Sequence, residues 1–112
     1  LRVVMAHWGG GLPFYELMPE IALAAQNVVY DSAASTYLYR FDIFPTIERL
    51  LGAGRILFGS DFPVLKQSSF LQRTLESGLA DAALPDVLAR NAIRTFRLPG
   101  FERLEFAPEG EP

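Results

Sequence analysis

The chain contains a single histidine, His7, and it stands at the end of the apolar run "VVMA", directly before Trp8 and three consecutive glycines. Two aspartates repeat the placement: Asp31 follows "NVVY", and Asp61 follows "RILFGS". An imidazole and carboxylates are the side chains that exchange protons near neutral pH or hold a divalent cation. Each also has a plain structural use. A lone histidine at a strand–loop corner is commonly hydrogen-bonded into the fold. An aspartate at a strand end commonly pins a turn, and that is the expectation for Asp31, which small residues follow. Asp61 is different, because "FGSDFP" takes a carboxylate out of a buried run beside a Phe-Pro turn. A carboxylate buried there requires a partner or a metal.

The glycines after His7 do not form a phosphate loop. No Lys-Ser/Thr follows them, and Phe14 occupies the position of the third glycine of a G-x-G-x-x-G pattern. Ser60 is not the nucleophile of a G-x-S-x-G elbow, since Phe62 replaces the required glycine; a structural hydroxyl is expected. The expected use of Gly9 to Gly11 is steric, letting backbone and substrate approach His7 closely.

The elements that must position these residues follow from periodicity. Arg2 to Ala6 and Asn27 to Tyr30 read as short buried strands rich in β-branched residues, and Arg55 to Gly59 as a third. Between the first two, Phe14, Leu17, Met18, Ile21 and Ala25 recur at helical spacing, with Pro19 imposing a kink or a division into two helices. Ala33 to Tyr39 reads as a loop. Phe41 to Leu51 is a helix with Ile43, Phe44, Ile47, Leu50 and Leu51 on one face, Pro45 in its first turns and "GAG" after it. Further helices are expected at Ser69 to Ser77 and Pro85 to Phe96, and residues 99–112 read as an extended tail.

Apolar strands alternating with helices imply a parallel sheet covered by helices, an α/β fold. In such a sheet the C-terminal strand ends share one edge, where ligands bind. His7, Asp31 and Asp61 all lie just past those ends.

The totals exclude several functions. Of the 112 residues half are hydrophobic, enough for a core, and the net charge of −3 arises from 10 basic and 13 acidic residues. The basic residues are scattered, so no nucleic-acid partner is expected. No apolar run is long enough to span a membrane. Absence of cysteine rules out disulfides and thiolate chemistry and is compatible with a cytoplasmic setting. The chain opens directly in a strand-like run without a starting methionine, which reads as a piece of a longer chain or a gene model that begins late.

Four segments in order, "AHWGGGLPF", "VVYDSA", "ILFGSDFP" and "LARNAIRTFRL", resemble the C-terminal part of the amidohydrolase-related family. These are metal-dependent TIM-barrel hydrolases and decarboxylases typified by aminocarboxymuconate-semialdehyde decarboxylase. The likeness runs from about Val3 to Leu98. It implies that the chain is the C-terminal portion of a (β/α)8 barrel, with about three of its strands, whereas a whole barrel needs about 250 residues. It implies that His7, ending the sixth strand, assists proton transfer, and that Asp61, ending the eighth, binds the metal and acts as base on its water. Asp31 would close the seventh strand, with no role carried over. Asn91 matches an asparagine of the last helix with a structural role.

The family's His-x-His pair of the first strand and its histidine of the fifth have no counterpart here. The resemblance therefore implies a divalent metal, zinc in the first instance, in the complete protein, with an incomplete ligand set in this chain. Trp8, Gly9, Gly10, Tyr15 and Phe62 are the expected substrate-binding residues for a small, aromatic or carboxylated molecule; Trp8, Tyr15 and Phe62 fit core packing equally well, and Phe14 is expected in the core. The expected function is that of a metal-dependent hydrolase or non-oxidative decarboxylase, this chain alone being inactive. The alternative is a non-catalytic truncated barrel serving as a binding or assembly module. Expected partners are the small-molecule substrate, and a second copy or the missing N-terminal half covering the open sheet edges.

Overall fold

Three parallel strands form the frame of the computed structural model, which describes residues 1–101. They are β1 (Val3–Met5), β2 (Val28–Asp31) and β3 (Ile56–Leu57), in spatial order β1-β2-β3. The register sets Val3 beside Val28, Met5 beside Tyr30, Tyr30 beside Ile56 and Asp31 beside Leu57. Sequential parallel neighbours with helical crossovers are the expected α/β arrangement.

Between β1 and β2 the chain forms two short helices, α1 (Leu12–Tyr15) and α2 (Pro19–Ala24), divided as Pro19 requires: the proline opens α2, where its missing N–H costs nothing. The segment expected as a loop after β2 contains a helix, α3 (Ser35–Leu38), which a short-range pattern of small residues did not reveal. Next is α4 (Ile43–Leu51), with Ile43, Phe44 and Ile47 buried, and it ends at Gly52 with φ at 91°. After β3 come α5 (Gln67–Leu75), beginning two residues earlier than its apolar spacing suggested, and a π-helical turn at Asp86–Arg90 that runs into α6 (Asn91–Phe96). Residues 102–112, most of the expected tail, lie outside the described residues.

Side chains of a strand alternate between faces. Val3, Met5, Val28, Tyr30 and Ile56 pack toward the helices, against Phe44, Ile47, Phe70 and Val87. Val4 and Val29 project from the opposite face, where Val4 is 37% exposed. Among the described residues β1 and β3 each pair with one strand only. In a closed barrel the second face is the interior and both edges are paired.

An aromatic cluster fills the helix side. Trp8 meets Phe44 edge-on at 5.1 Å, Phe41 lies 5.2 Å from Phe70, and Phe58 lies 5.6 Å from Phe70. Phe14 is not part of it. Expected in the core, it is 40% exposed, because it lies on the wall of a surface cleft with Tyr39 and Ile43 and not beneath the sheet.

Beside the core lies a charged group that sequence pattern did not disclose. Glu16 is buried and accepts hydrogen bonds from Tyr30 Oη at 2.6 Å and from Arg55 Nη2 at 2.8 Å. Arg55 also donates from Nε to the Val28 carbonyl and from Nη2 to the Ala25 carbonyl. A buried carboxylate needs such pairing. Here it ties the end of α1 to β2 and to the start of β3. Burial first, and then the Glu16 carboxylate that accepts its hydrogen bond, raise the Tyr30 phenol well above its usual range.

Asn91 has the structural role expected of it. Its amide donates to the carbonyls of Ala53 at 2.6 Å and Ile56 at 2.9 Å, and its oxygen accepts from Arg94. It thereby fastens α6 beneath β3.

Candidate functional site at the strand ends

The parallel register brings the chain out of β1, β2 and β3 at one edge of the sheet, as the three-strand pattern required. His7, Asp31 and Asp61 emerge there. His7 and Asp61 share a further property: both are non-glycine residues in the left-handed region, with φ at 55° and 68°. Such conformations cost of order 1–3 kcal/mol and persist where surrounding structure imposes them, commonly at functional sites.

The left-handed conformation continues beyond His7. Trp8, Gly9 and Gly10 have φ between 57° and 65°, so the chain makes a left-handed turn before α1. The turn drives Trp8 inward. Its indole is fully buried, and Nε1 donates to Ser35 Oγ at 2.8 Å. Trp8 is therefore a core residue, not the pocket wall expected of it: the turn reverses its direction relative to His7. Gly9 also serves packing. A Cβ there would stand 2.8 Å from Tyr30 Cε1. Gly10 has open space around it.

Hydrogen bonds join the three loops. Asp31 Oδ1 accepts the backbone N–H of Ala33 at 3.0 Å, the expected turn, and also that of His7 at 3.1 Å. The His7 ring is held through Nδ1, 3.0 Å from the Ala33 carbonyl oxygen. A carbonyl oxygen only accepts, so Nδ1 carries a proton, and in the neutral imidazole that leaves the lone pair on Nε2. Ser35 Oγ donates to the Ser32 carbonyl at 2.6 Å. Buried Ser32 exchanges hydrogen bonds with Gly59, accepting its N–H at 3.0 Å and donating to its carbonyl. The serine links were not legible beforehand, since neither spacing nor residue type marks two serines as bridges.

Asp61 sits on the turn after β3, where its carbonyl accepts the N–H of Val64 at 2.9 Å. Its side chain is exposed and makes no hydrogen bond or ion pair among the described residues. Phe62 is 72% exposed beside it, and Tyr15 is 62% exposed at the end of α1. A surface cleft of about 250 Å³ is lined by Phe14, Tyr39, Arg40, Asp42, Ile43 and Thr46 and contains neither His7 nor Asp61.

The donor set does not complete a metal site. Among the described residues, no three His, Cys, Asp or Glu side chains converge so as to hold an ion. A tight site for a cation such as zinc takes three or four protein ligands.

Parallel β/α units with an imidazole and carboxylates at the C-terminal strand ends define an α/β segment of the kind found in (β/α) barrels and open sheets. The chain belongs to the amidohydrolase family, whose model matches residues 1–98. Solved structures show the same fold. One is 2,6-dihydroxybenzoate decarboxylase from Rhizobium, with TM-score 0.72 and 20% identity over 89% of this chain and 36% of that one. Another is 5-carboxyvanillate decarboxylase from Sphingomonas paucimobilis, with TM-score 0.71 and 16% identity over 88% of this chain and 34% of that one. A third is an amidohydrolase from Burkholderia multivorans with bound zinc, with TM-score 0.53 and 23% identity over 88% of this chain and 44% of that one. These neighbours are TIM-barrel amidohydrolases, and the chain spans about a third of the length of the two decarboxylases. No curated protein sequence matches the chain. Among the described residues no helix is long and apolar enough to cross a membrane.

Proposed function

We propose that this chain forms the last three β/α units of a metal-dependent hydrolase or non-oxidative decarboxylase acting on a small, aromatic or carboxylated molecule. The observation that carries the reading is the shared edge: His7 and Asp61, both on left-handed backbone, leave parallel strands on the same side. In this reading β1, β2 and β3 are the sixth, seventh and eighth barrel strands.

Asp61 is one ligand of a divalent metal, zinc in the first instance, and the remaining ligands come from strands outside these residues. The metal, when bound, supplies positive charge that stabilises a developing anion. His7 acts through Nε2, whose lone pair accepts a proton from a reacting group and returns it. Phe62 and Tyr15, exposed near the ends of their elements, offer aromatic surface to the substrate. Trp8 contributes from beneath, by fixing the turn that carries His7.

A second reading is favoured by one specific fact, the absence of a three-ligand cluster among the described residues. On it the chain is a non-catalytic barrel segment that associates through its open edges. Metal content and turnover of the intact protein, wild type against Asp61→Asn, separate the two. Loss of metal and turnover together supports the enzyme reading. An unchanged metal content sinks Asp61 as ligand.

A further inference from the structure

Asp31 does more than close the turn after β2. A residue that only pinned the turn would bond to Ala33, two positions on. The same Oδ1 also accepts the N–H of His7, 24 residues away on the neighbouring strand end. Ala33, held by that oxygen, in turn places its carbonyl on His7 Nδ1. The two hydrogen bonds accepted by Asp31 and the one accepted by Ala33 close a ring that fixes both ends of the His7 residue, its backbone and its imidazole.

Two features of His7 call for such fixing. Its φ of 55° is a costly conformation for a residue with a Cβ. Its ring is exposed, so packing alone does not choose an orientation. In free histidine the Nε2–H tautomer is the favoured neutral form. Here the Ala33 carbonyl demands the opposite one.

We propose that Asp31 is a positioning residue for His7: by accepting two backbone N–H groups it sets the Ala33 carbonyl against Nδ1 and so holds the imidazole in the tautomer that leaves the Nε2 lone pair free. This deepens the role given to His7 above. The tautomer is nevertheless a property of the folded chain and is read without substrate or metal, so failure here leaves the enzyme reading standing, and the reverse also holds.

The single histidine makes the test direct. With 15N-labelled histidine, a long-range 1H–15N correlation spectrum of the chain at about pH 9, where imidazole is neutral, shows which ring nitrogen carries the proton. Wild type is expected to show mainly Nδ1–H. Asp31→Ala is expected to shift the majority to Nε2–H, and Asp31→Asn, which keeps an oxygen acceptor at the same place, to retain the wild-type pattern. If Asp31→Ala does not fold, Asp31→Ser decides in its place. Its hydroxyl can serve the local turn but is too short to serve His7 as well, so the same shift toward Nε2–H is expected. An Nε2–H majority in the wild type overturns the proposal. So does retention of Nδ1–H in a folded Asp31→Ala or Asp31→Ser, which would show that the Ser32 and Ser35 hydrogen bonds suffice, and so does loss of it in a folded Asp31→Asn.

Discussion

The ring of Tyr30 lies directly against Gly9, close enough that a Cβ on residue 9 would come within 2.8 Å of Tyr30 Cε1. Gly9 and Gly10 share nearly the same left-handed backbone, at 59° and 65°, yet only Gly9 has a neighbour in the way. The pair therefore separates two costs. Gly10→Ala bears the left-handed conformation alone, about 1–2 kcal/mol. Gly9→Ala adds overpacking against a fixed ring, typically a further 1–3 kcal/mol or so. Urea midpoints of the two variants check this, and equal losses would show that Tyr30 moves aside freely.

Tyr30 predicts an alkaline limit to stability. Its phenol is held above its usual range by burial and by the hydrogen bond to Glu16. Between the unfolded value of about 10 and the higher folded value, the native state binds the proton that the unfolded state has lost, so stability falls as pH rises through that window. Below about pH 10 the contribution is fully present. Tyr30→Phe should flatten the decline above about pH 10, while at neutral pH it forfeits a hydrogen bond to a charged group, about 1.5–3 kcal/mol. Thermal melts of both proteins from neutral to strongly alkaline pH decide it, and parallel curves would remove Tyr30 as the titrating group.

Removing Glu16 should cost more. Glu16→Ala leaves Arg55 without its carboxylate and Tyr30 without its acceptor, and breaking a buried pair typically costs about 3–5 kcal/mol. Glu16→Gln, keeping an oxygen for Tyr30, should lose less. Chemical denaturation orders the two, and a reversed order would mean that the charge itself is a burden to the fold.

The roles proposed for His7 and Asp61 make different demands on an intact protein. Asp61→Asn should weaken metal retention and abolish turnover. His7→Asn should leave the metal in place and lower the rate by roughly 10²–10⁴-fold, the usual loss on removing a general acid–base group. Metal analysis with steady-state kinetics on both variants tests the division. A His7→Asn protein emptied of metal would make His7 a ligand instead.

Taken alone, the chain should associate and bind zinc weakly. β1 and β3 present unpaired edges among the described residues, Val4 is exposed on the open face, and no three-ligand cluster exists there. Light scattering and zinc titration near neutral pH check both. A monomer with tight zinc binding and turnover would contradict the barrel-segment reading.

The alternation of strand and helix and the common exit of His7, Asp31 and Asp61 were legible in the residue order, because hydrophobic period and parallel connection are local and chiral constraints. Pro19 marked a kink or a division, and the family resemblance implied a structural role for Asn91. Tertiary structure alone decided where the aromatic side chains went. Trp8 looked like pocket lining beside His7 and became core, because a left-handed turn reverses direction within one residue. Phe14 looked like core and became half-exposed. The Glu16–Tyr30–Arg55 group and the bond from His7 to Asp31 were equally hidden, since they join residues 14, 24 and 39 positions apart. Hydrogen bonds across such separations leave no periodic trace in a sequence. They form only when packing has brought the strand ends together.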